Sequence, residues 1–293
     1  MEKGGNTGKK TSESPLLDFD ECDATLERNR ADQSKQGSLV SERLLGKVIV
    51  VAGAGGIGNE LARRYAAEGA SVVLGDIDAA QAKATADDIV ANAGRAIGIE
   101  LDGARDESIK AAVDLAVTEF GGLDGFHANY ASFRDGETGH DVLGLSLDVY
   151  DEVMRVNARG FLLCTQRAIP AMLARGGGSI VYTSSGAAFV GEVIRVAYAM
   201  SKVAGHALMR HVANRFGPQG IRANVIAPGV IAHPRFDAVI PAELAERLKS
   251  GAAVRRLGRP VDIAATAALL MSDEGSFITG QVISVDGGHS MRQ

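Results

Sequence analysis

From Gly46 onward the chain alternates short runs of Val, Ile and Leu with longer stretches in which apolar residues recur at helical spacing among Ala, Arg, Asp and Glu. The short runs are apolar throughout, the pattern of strands covered on both faces, and the intervening helices supply the crossovers that parallel strands need. This pattern predicts strands near 47–52, 71–76, 96–101, 123–128, 178–183, 221–227 and 281–285. It predicts helices near 56–69, 79–93, 105–120, 148–175, 195–216, 241–250 and 260–272. Gly69 and Gly94 follow helical runs, where a left-handed closing residue is favoured, and the Asp148 region offers an acid at a helix start. The expected architecture is a single α/β domain over 45–293, with a seven-stranded, doubly wound parallel sheet and helices on both faces.

Residues 1–44 do not share this pattern. They mix Gly, Ser, Lys, Asp and Glu with little sustained apolar period, so they bury too little to offset their ordering entropy and are read as a disordered extension. Within them "PLLDF", Pro15 to Phe19, could dock on another surface. The whole chain has 293 residues, 46% of them hydrophobic, enough for one sizeable core. A formal charge of -5 gives no basic field for nucleic acid or anionic lipid. No apolar run reaches the ~18 residues of a membrane span. Cys22 and Cys164 are too far apart to suggest a disulfide framework or zinc site, and a cytoplasmic location is expected.

The stretch "VIVVAGAGGIGNELARRYAAEGASVVLGDID" concentrates the chemistry. Gly53, Gly55 and Gly58 satisfy GxGxxG between a predicted strand and a predicted helix. Glycine there permits a tight turn and lets backbone N–H groups approach a pyrophosphate at the positive end of a helix. Asp76, ending the next strand roughly 20 residues on, can accept the ribose hydroxyls of adenosine and would repel a 2′-phosphate. NAD is therefore favoured over NADP. A strand-end acid capping the following helix is the plainer alternative for Asp76.

Further on, "YAMSK" places Tyr198 and Lys202 on one helical face. "GGGSIVYTSSGAAF" places Ser185 before them, and "VMRVNARGF" supplies Asn157. With the glycine loop, "APG" (Ala227 to Gly229), "RRLGRPVDIA" and the terminal "ITGQVISVDGG", this set resembles the short-chain dehydrogenase/reductase family in its single-domain form, over about residues 44–290. The resemblance implies a Rossmann-type fold and a catalytic set of Asn157, Ser185, Tyr198 and Lys202. It lays a dinucleotide along Gly53, Gly55, Gly56, Ile57 and Gly58, along Asp76, Ile77, Leu101 and Asp102, and past Asn129 and Ala131. The nicotinamide end would meet Tyr198, Lys202, Pro228, Gly229, Ile231 and His233. A homotetramer, or a homodimer, is also implied.

The chemistry follows from the residues as well. Moving a hydride off an alcohol carbon requires a base for the hydroxyl proton, and a phenol of pKa near 10 is mostly protonated at pH 7. The Lys202 ammonium and a positive nicotinamide would favour phenolate, three pKa units corresponding to roughly 4 kcal/mol. Ser185 can hold the substrate oxygen, and Lys202 can also bind the nicotinamide ribose. By resemblance, Asn157 would stand beside a water linking Lys202 to solvent.

Three departures from the family pattern stand out. The glycine motif has Ala52 in place of the usual Thr and is one residue short. The usual NNAG is "ANYA", Ala128 to Ala131, in which Tyr130 replaces a small residue and is expected to fill space beneath the nicotinamide. After "PG" the loop presents His233, which could donate to the carboxamide or face the substrate.

Substrate loops are expected near 132–144, 186–195 and 233–253, at the carboxyl ends of the strands. Phe133, Arg134, Phe189, Arg195 and Phe236 are the candidate contacts, and they allow an apolar or an anionic substrate. The leading expectation is an NAD-dependent oxidoreductase interconverting a secondary alcohol and a ketone. The alternatives are a carbonyl or 3-oxoacyl reductase using NAD(P)H, and a catalytically idle nucleotide-binding protein.

Overall fold

The computed structural model describes Met1, residues 42–233 and residues 241–291. Most of the expected N-terminal extension, with Pro15 to Phe19 and Cys22, lies outside the described residues, as does Phe236. The seven strands are β1 (Val48–Ala52), β2 (Ser71–Asp76), β3 (Arg95–Glu100), β4 (Gly125–Ala128), β5 (Gly178–Thr183), β6 (Ile221–Pro228) and β7 (Val282–Val285). They form one sheet in the order β3-β2-β1-β4-β5-β6-β7, with every pairing parallel. The order reverses between β1 and β4, so the chain winds outward in both directions from one crevice. This is the Rossmann-type arrangement, and ligands in such sheets bind at the carboxyl ends beside the reversal.

Alternation along each strand divides the core in two. Val48, Val50 and Ala52 of β1 face a cluster containing Ile109, Phe126, Phe161 and Tyr182. Ile49 and Val51 face another, containing Leu61, Tyr65, Ile263 and Leu270. Both faces are covered, which accounts for the uninterrupted apolar runs. The covering helices are α1 (Ile57–Ala67), α2 (Ala79–Ala91), α3 (Asp106–Phe120), α4 (Arg134–Thr138), α5 (Leu147–Val153), α6 (Gly160–Ala174), α7 (Val196–Phe216), α8 (Ala242–Gly251) and α9 (Pro260–Met271).

Several local features differ from expectation. The left-handed residue closing α2 is Ala93, φ +64°, rather than Gly94. Gly94 instead leaves room for a neighbour, since a Cβ there would meet Ile89 Cγ2 at 2.6 Å. Ser146, not Asp148, caps α5 by accepting from Val149 N–H. The single long helix expected over 148–175 is interrupted by a π-helical segment, Met154–Arg159, between α5 and α6. At the other end Leu44 is fully buried and Arg43 pairs with the buried Glu68 at 2.7 Å, so packing begins within the last residues assigned to the extension.

Candidate active site

The turn from β1 into α1 brings backbone, not side chains, to the crevice. Gly53 has φ +102°, and a Cβ on it would lie 2.7 Å from Tyr130 N. On Gly58 a Cβ would lie 1.7 Å from the Gly53 carbonyl oxygen, so the first turn of α1 packs directly against the end of β1. Where Gly55 could carry a side chain there is open space. Among the described residues the Gly55 and Gly56 N–H groups have no backbone acceptor, and Ile57 opens the helix beside them. Unsatisfied donors at a helix start, beside the open space at Gly55, suit a phosphate group.

Asp76 ends β2 and is tied to this turn. Its Oδ2 accepts from Ala54 N–H at 2.7 Å and its Oδ1 from Asp78 N–H at 2.9 Å. It does not cap α2; Asp78 does, accepting from Gln81 N–H at 3.1 Å. Ile77 is 74% exposed beside it. Asp102, after β3, braces its own loop by accepting from Ala104 N–H at 2.9 Å. The Leu101 side chain is buried in the core against Gly75, so it does not line an open surface. Ile231 is likewise buried and pairs with Gly258, while Pro228 ends β6 and Gly229 N–H bonds Val285 O at 3.1 Å. His233 lies over the glycine turn: a Cβ on Gly56 would be 3.3 Å from its ring. Ala131 packs at the edge of the small apolar cluster that contains Tyr198.

The Tyr130 side chain turns into the domain. Its ring passes between Gly103 and Gly160, where added Cβ atoms would meet it at 2.3 and 2.9 Å, and its hydroxyl reaches Cys164 Sγ at 3.1 Å. The bulk is absorbed inside the domain, where burial holds both the phenol and the thiol well above their usual pKa values.

Tyr198 and Lys202 project from successive turns of α7, and Ser185 is the second residue after β5. Ser185 Oγ accepts from Ala187 N–H at 3.1 Å, and the hydroxyl lies near enough to the Tyr198 phenol to act on its titration. Lys202 is 1% exposed; its ammonium donates to the Thr183 carbonyl at 2.9 Å and sits 5.6 Å from the Tyr198 ring centroid and 4.9 Å from that of Phe161. Burial without an acidic partner pushes Lys202 down to about 7. Burial also dominates at Tyr198, pushing it up to about 12. Ser185 and Arg195 oppose that rise, and Glu192 and Asp135 add to it. The expected lowering of the phenol by Lys202 is therefore not supplied by the protein alone, because an amine titrating near neutrality carries only part of a charge there.

Asn157 lies in the π-helical segment, a kind of widened turn common at functional sites. Its side chain is fully buried and clamps Ser132: Oδ1 accepts from Ser132 N–H at 2.7 Å and Nδ2 donates to Ser132 O at 3.1 Å. The same Nδ2 reaches Ser201 Oγ at 3.0 Å. Asn157 thus joins the 132–144 loop to α7 rather than contacting Lys202 directly.

The same loop contributes a residue that sequence reasoning did not single out. Asp135, fully buried in α4, accepts the Tyr198 backbone N–H at 2.7 Å on Oδ2 and so caps α7 from outside it. Its other oxygen is buried without a hydrogen-bond partner among the described residues. Phe133 stacks on the Tyr198 ring with centroids 4.6 Å apart. The Arg195 guanidinium lies 5.8 Å from the same ring and pairs with Glu192 at 2.6 Å. Arg134 begins α4 and is exposed, whereas Phe189 turns toward His206 of α7. Apart from position within an expected loop, nothing in the sequence marks Asp135.

Comparison with known proteins gives the family. Residues 51–290 match the family model described as enoyl-(acyl carrier protein) reductase. A probable short-chain type dehydrogenase/reductase from Bradyrhizobium diazoefficiens is 41% identical over 247 residues, covering 84% of this chain and 88% of that protein. The chain belongs to the short-chain dehydrogenase/reductase family. This short-chain dehydrogenase/reductase is also 33% identical to a cyclohexanol dehydrogenase from an Acinetobacter strain, over 87% of its own length and 99% of that protein. It resembles a solved structure of a 7α-hydroxysteroid dehydrogenase complexed with NADH and 7-oxo glycochenodeoxycholic acid, with a TM-score of 0.79, 32% identity and coverage of 86% and 98%. It is thus an oxidoreductase of this family, and among the described residues no helix is long and apolar enough to cross a membrane.

Proposed function

We propose that this oxidoreductase interconverts a secondary alcohol and a ketone, with NAD preferred over NADP and Tyr198 exchanging the hydroxyl proton. The observation that carries the reading is the convergence of Ser185, Tyr198 and the buried Lys202 at the carboxyl end of β5, with the Lys202 ammonium held on the Thr183 carbonyl and 5.6 Å from the Tyr198 ring centroid. The backbone donors of the glycine turn and the Asp76 carboxylate fit a dinucleotide. Once bound, its nicotinamide takes or gives the hydride and, when oxidised, brings the positive charge that favours a phenolate. Gly55 and Gly56 N–H groups would hold the pyrophosphate, Asp76 the adenosine ribose, and Lys202 the nicotinamide ribose.

In the oxidative direction Ser185 Oγ holds the substrate hydroxyl and the Tyr198 phenolate removes its proton. In reduction the Tyr198 phenol returns a proton to the developing alkoxide. The stacked Phe133 and exposed Val142, Leu143, Val193 and Ile194 on the two loops support an apolar substrate. An alicyclic secondary alcohol fits that wall, as do the names of the cyclohexanol and hydroxysteroid relatives.

The test is steady-state turnover of alicyclic, steroid and linear alcohols and their ketones with each dinucleotide. NAD-linked turnover lost in Tyr198→Phe, with NADH binding retained, is the expected result. NADH binding without turnover of any substrate would instead establish an idle nucleotide-binding protein.

A further inference from the structure

Behind the glycine turn lies a chain of side chains that the reaction does not use. Tyr65 Oη is 2.7 Å from His127 Nδ1, and His127 Nε2 is 2.9 Å from Thr183 Oγ1. Thr183 Oγ1 is 2.9 Å from Asn129 Oδ1, and Asn129 Nδ2 is 3.0 Å from the Gly53 carbonyl oxygen. Tyr65 and His127 are fully buried, and Thr183 is 6% exposed.

The proton positions follow link by link. A carbonyl oxygen only accepts, so the Asn129 amide nitrogen faces Gly53 and its oxygen faces Thr183. That oxygen also only accepts, so the single Thr183 hydroxyl proton is spent on Asn129. Thr183 must then accept from His127, which places the imidazole proton on Nε2. In a neutral ring Nδ1 is left as acceptor, and Tyr65 donates to it. Burial pushes His127 down to about 3, which keeps the ring neutral through the physiological range.

The chain closes around the turn. Gly53 precedes the turn and Tyr65 lies in α1 after it, so both flanks are held by one set of donors. Thr183 also holds Lys202 through its carbonyl. We propose that His127 is a positioning residue for the dinucleotide: through Thr183 and Asn129 it fixes the Gly53 carbonyl, and through Tyr65 it anchors α1, setting the shortened turn in one conformation. This rests on the dinucleotide reading of the glycine turn.

Nitrogen-correlated NMR of the wild-type protein should show His127 protonated on Nε2 alone, with a slowly exchanging proton; protonation on Nδ1 would overturn the proposal. In His127→Leu the NADH dissociation constant and the KM for NAD should rise at least tenfold, with kcat changed less than threefold. His127→Gln, whose amide can donate to Thr183 and accept from Tyr65, should stay within threefold of wild type in both. Thr183→Val keeps the carbonyl that holds Lys202 and should reproduce the leucine effect, which covers a leucine variant that does not fold. Wild-type NADH affinity in folded His127→Leu or Thr183→Val refutes the positioning role. Failure of the wild-type protein to bind NADH or NADPH refutes the dinucleotide reading, and the positioning role with it.

Discussion

Replacing Lys202 by Met should make the protein more stable at neutral pH while removing activity. The lysine is 1% exposed, and its one described hydrogen bond runs to the Thr183 carbonyl. Burial lowers it from 10.5 to about 7. Between those values the unfolded chain binds a proton that the folded one does not. Stability present above pH 10.5 is therefore lost as pH falls toward 7, after which the loss levels off. At pH 7 the deficit is about 4 kcal/mol. Methionine carries no charge and nearly fills the stem's volume, but it forfeits the hydrogen bond, worth about 1 kcal/mol. The net gain should be about 3 kcal/mol, or roughly 6–12 °C in Tm for a domain of this size. Thermal unfolding by circular dichroism, wild type against variant at pH 7 and pH 10.5, reads this difference; it should shrink strongly at the higher pH. Alcohol oxidation should fall by ~10²-fold or more. A variant no more stable at pH 7, or a gain that persists unchanged at pH 10.5, would refute the reasoning that an unpaired buried amine is retained for chemistry at a cost in stability.

Glu192→Gln removes a negative charge that raises Tyr198. Since oxidation needs the phenolate, the rising limb of kcat against pH should move to lower pH; an unmoved or alkaline-shifted limb counts against Tyr198 as the base. Asp76→Asn keeps an acceptor for Ala54 N–H and loses the charge proposed to face the ribose. The ratio of kcat/KM with NADP to that with NAD should rise at least ~10-fold, about 1.4 kcal/mol, and an unchanged ratio would separate Asp76 from cofactor choice. Ala93→Gly relieves a left-handed alanine at the exposed end of α2 and should stabilise by about 1 kcal/mol in denaturant unfolding.

Strands and helices were legible because burial on both faces writes itself as unbroken apolar runs, and because glycine marks the sharp turns. The pairing of Tyr198 with Lys202 was legible because one helical turn fixes their spacing. What stayed hidden depends on contacts between distant segments. The π-helical widening at Asn157 leaves no periodic signal, and Asp135 caps α7 across 63 positions of sequence. Tyr130 reads as an intruder at a small-residue site until Gly103 and Gly160 are seen to make room for its ring. Leu101 and Ile231 sit in a binding register by position, yet their side chains belong to the core.

The electrostatic picture changes in the same way. Composition and spacing suggest a lysine that acidifies its neighbouring tyrosine; burial instead moves the two groups toward neutrality, Tyr198 up and Lys202 down. A phenol near 12 supplies almost no phenolate at pH 7 and is a reluctant acid there, and an amine near 7 stabilises a phenolate only when protonated. A positive ring brought close to both would favour the phenolate, but it would also disfavour the ammonium, so Lys202 must be held by acceptors to stay charged. The Thr183 carbonyl is the acceptor the protein provides, and ribose hydroxyls would add to it. On this account the catalytic protonation states are set only in the assembled complex, and the apparent pKa of alcohol oxidation should lie well below the phenol's value in the protein alone. A rising limb still near 12 under saturating NAD would show that the assembled complex does not lower the phenol, and would refute this account.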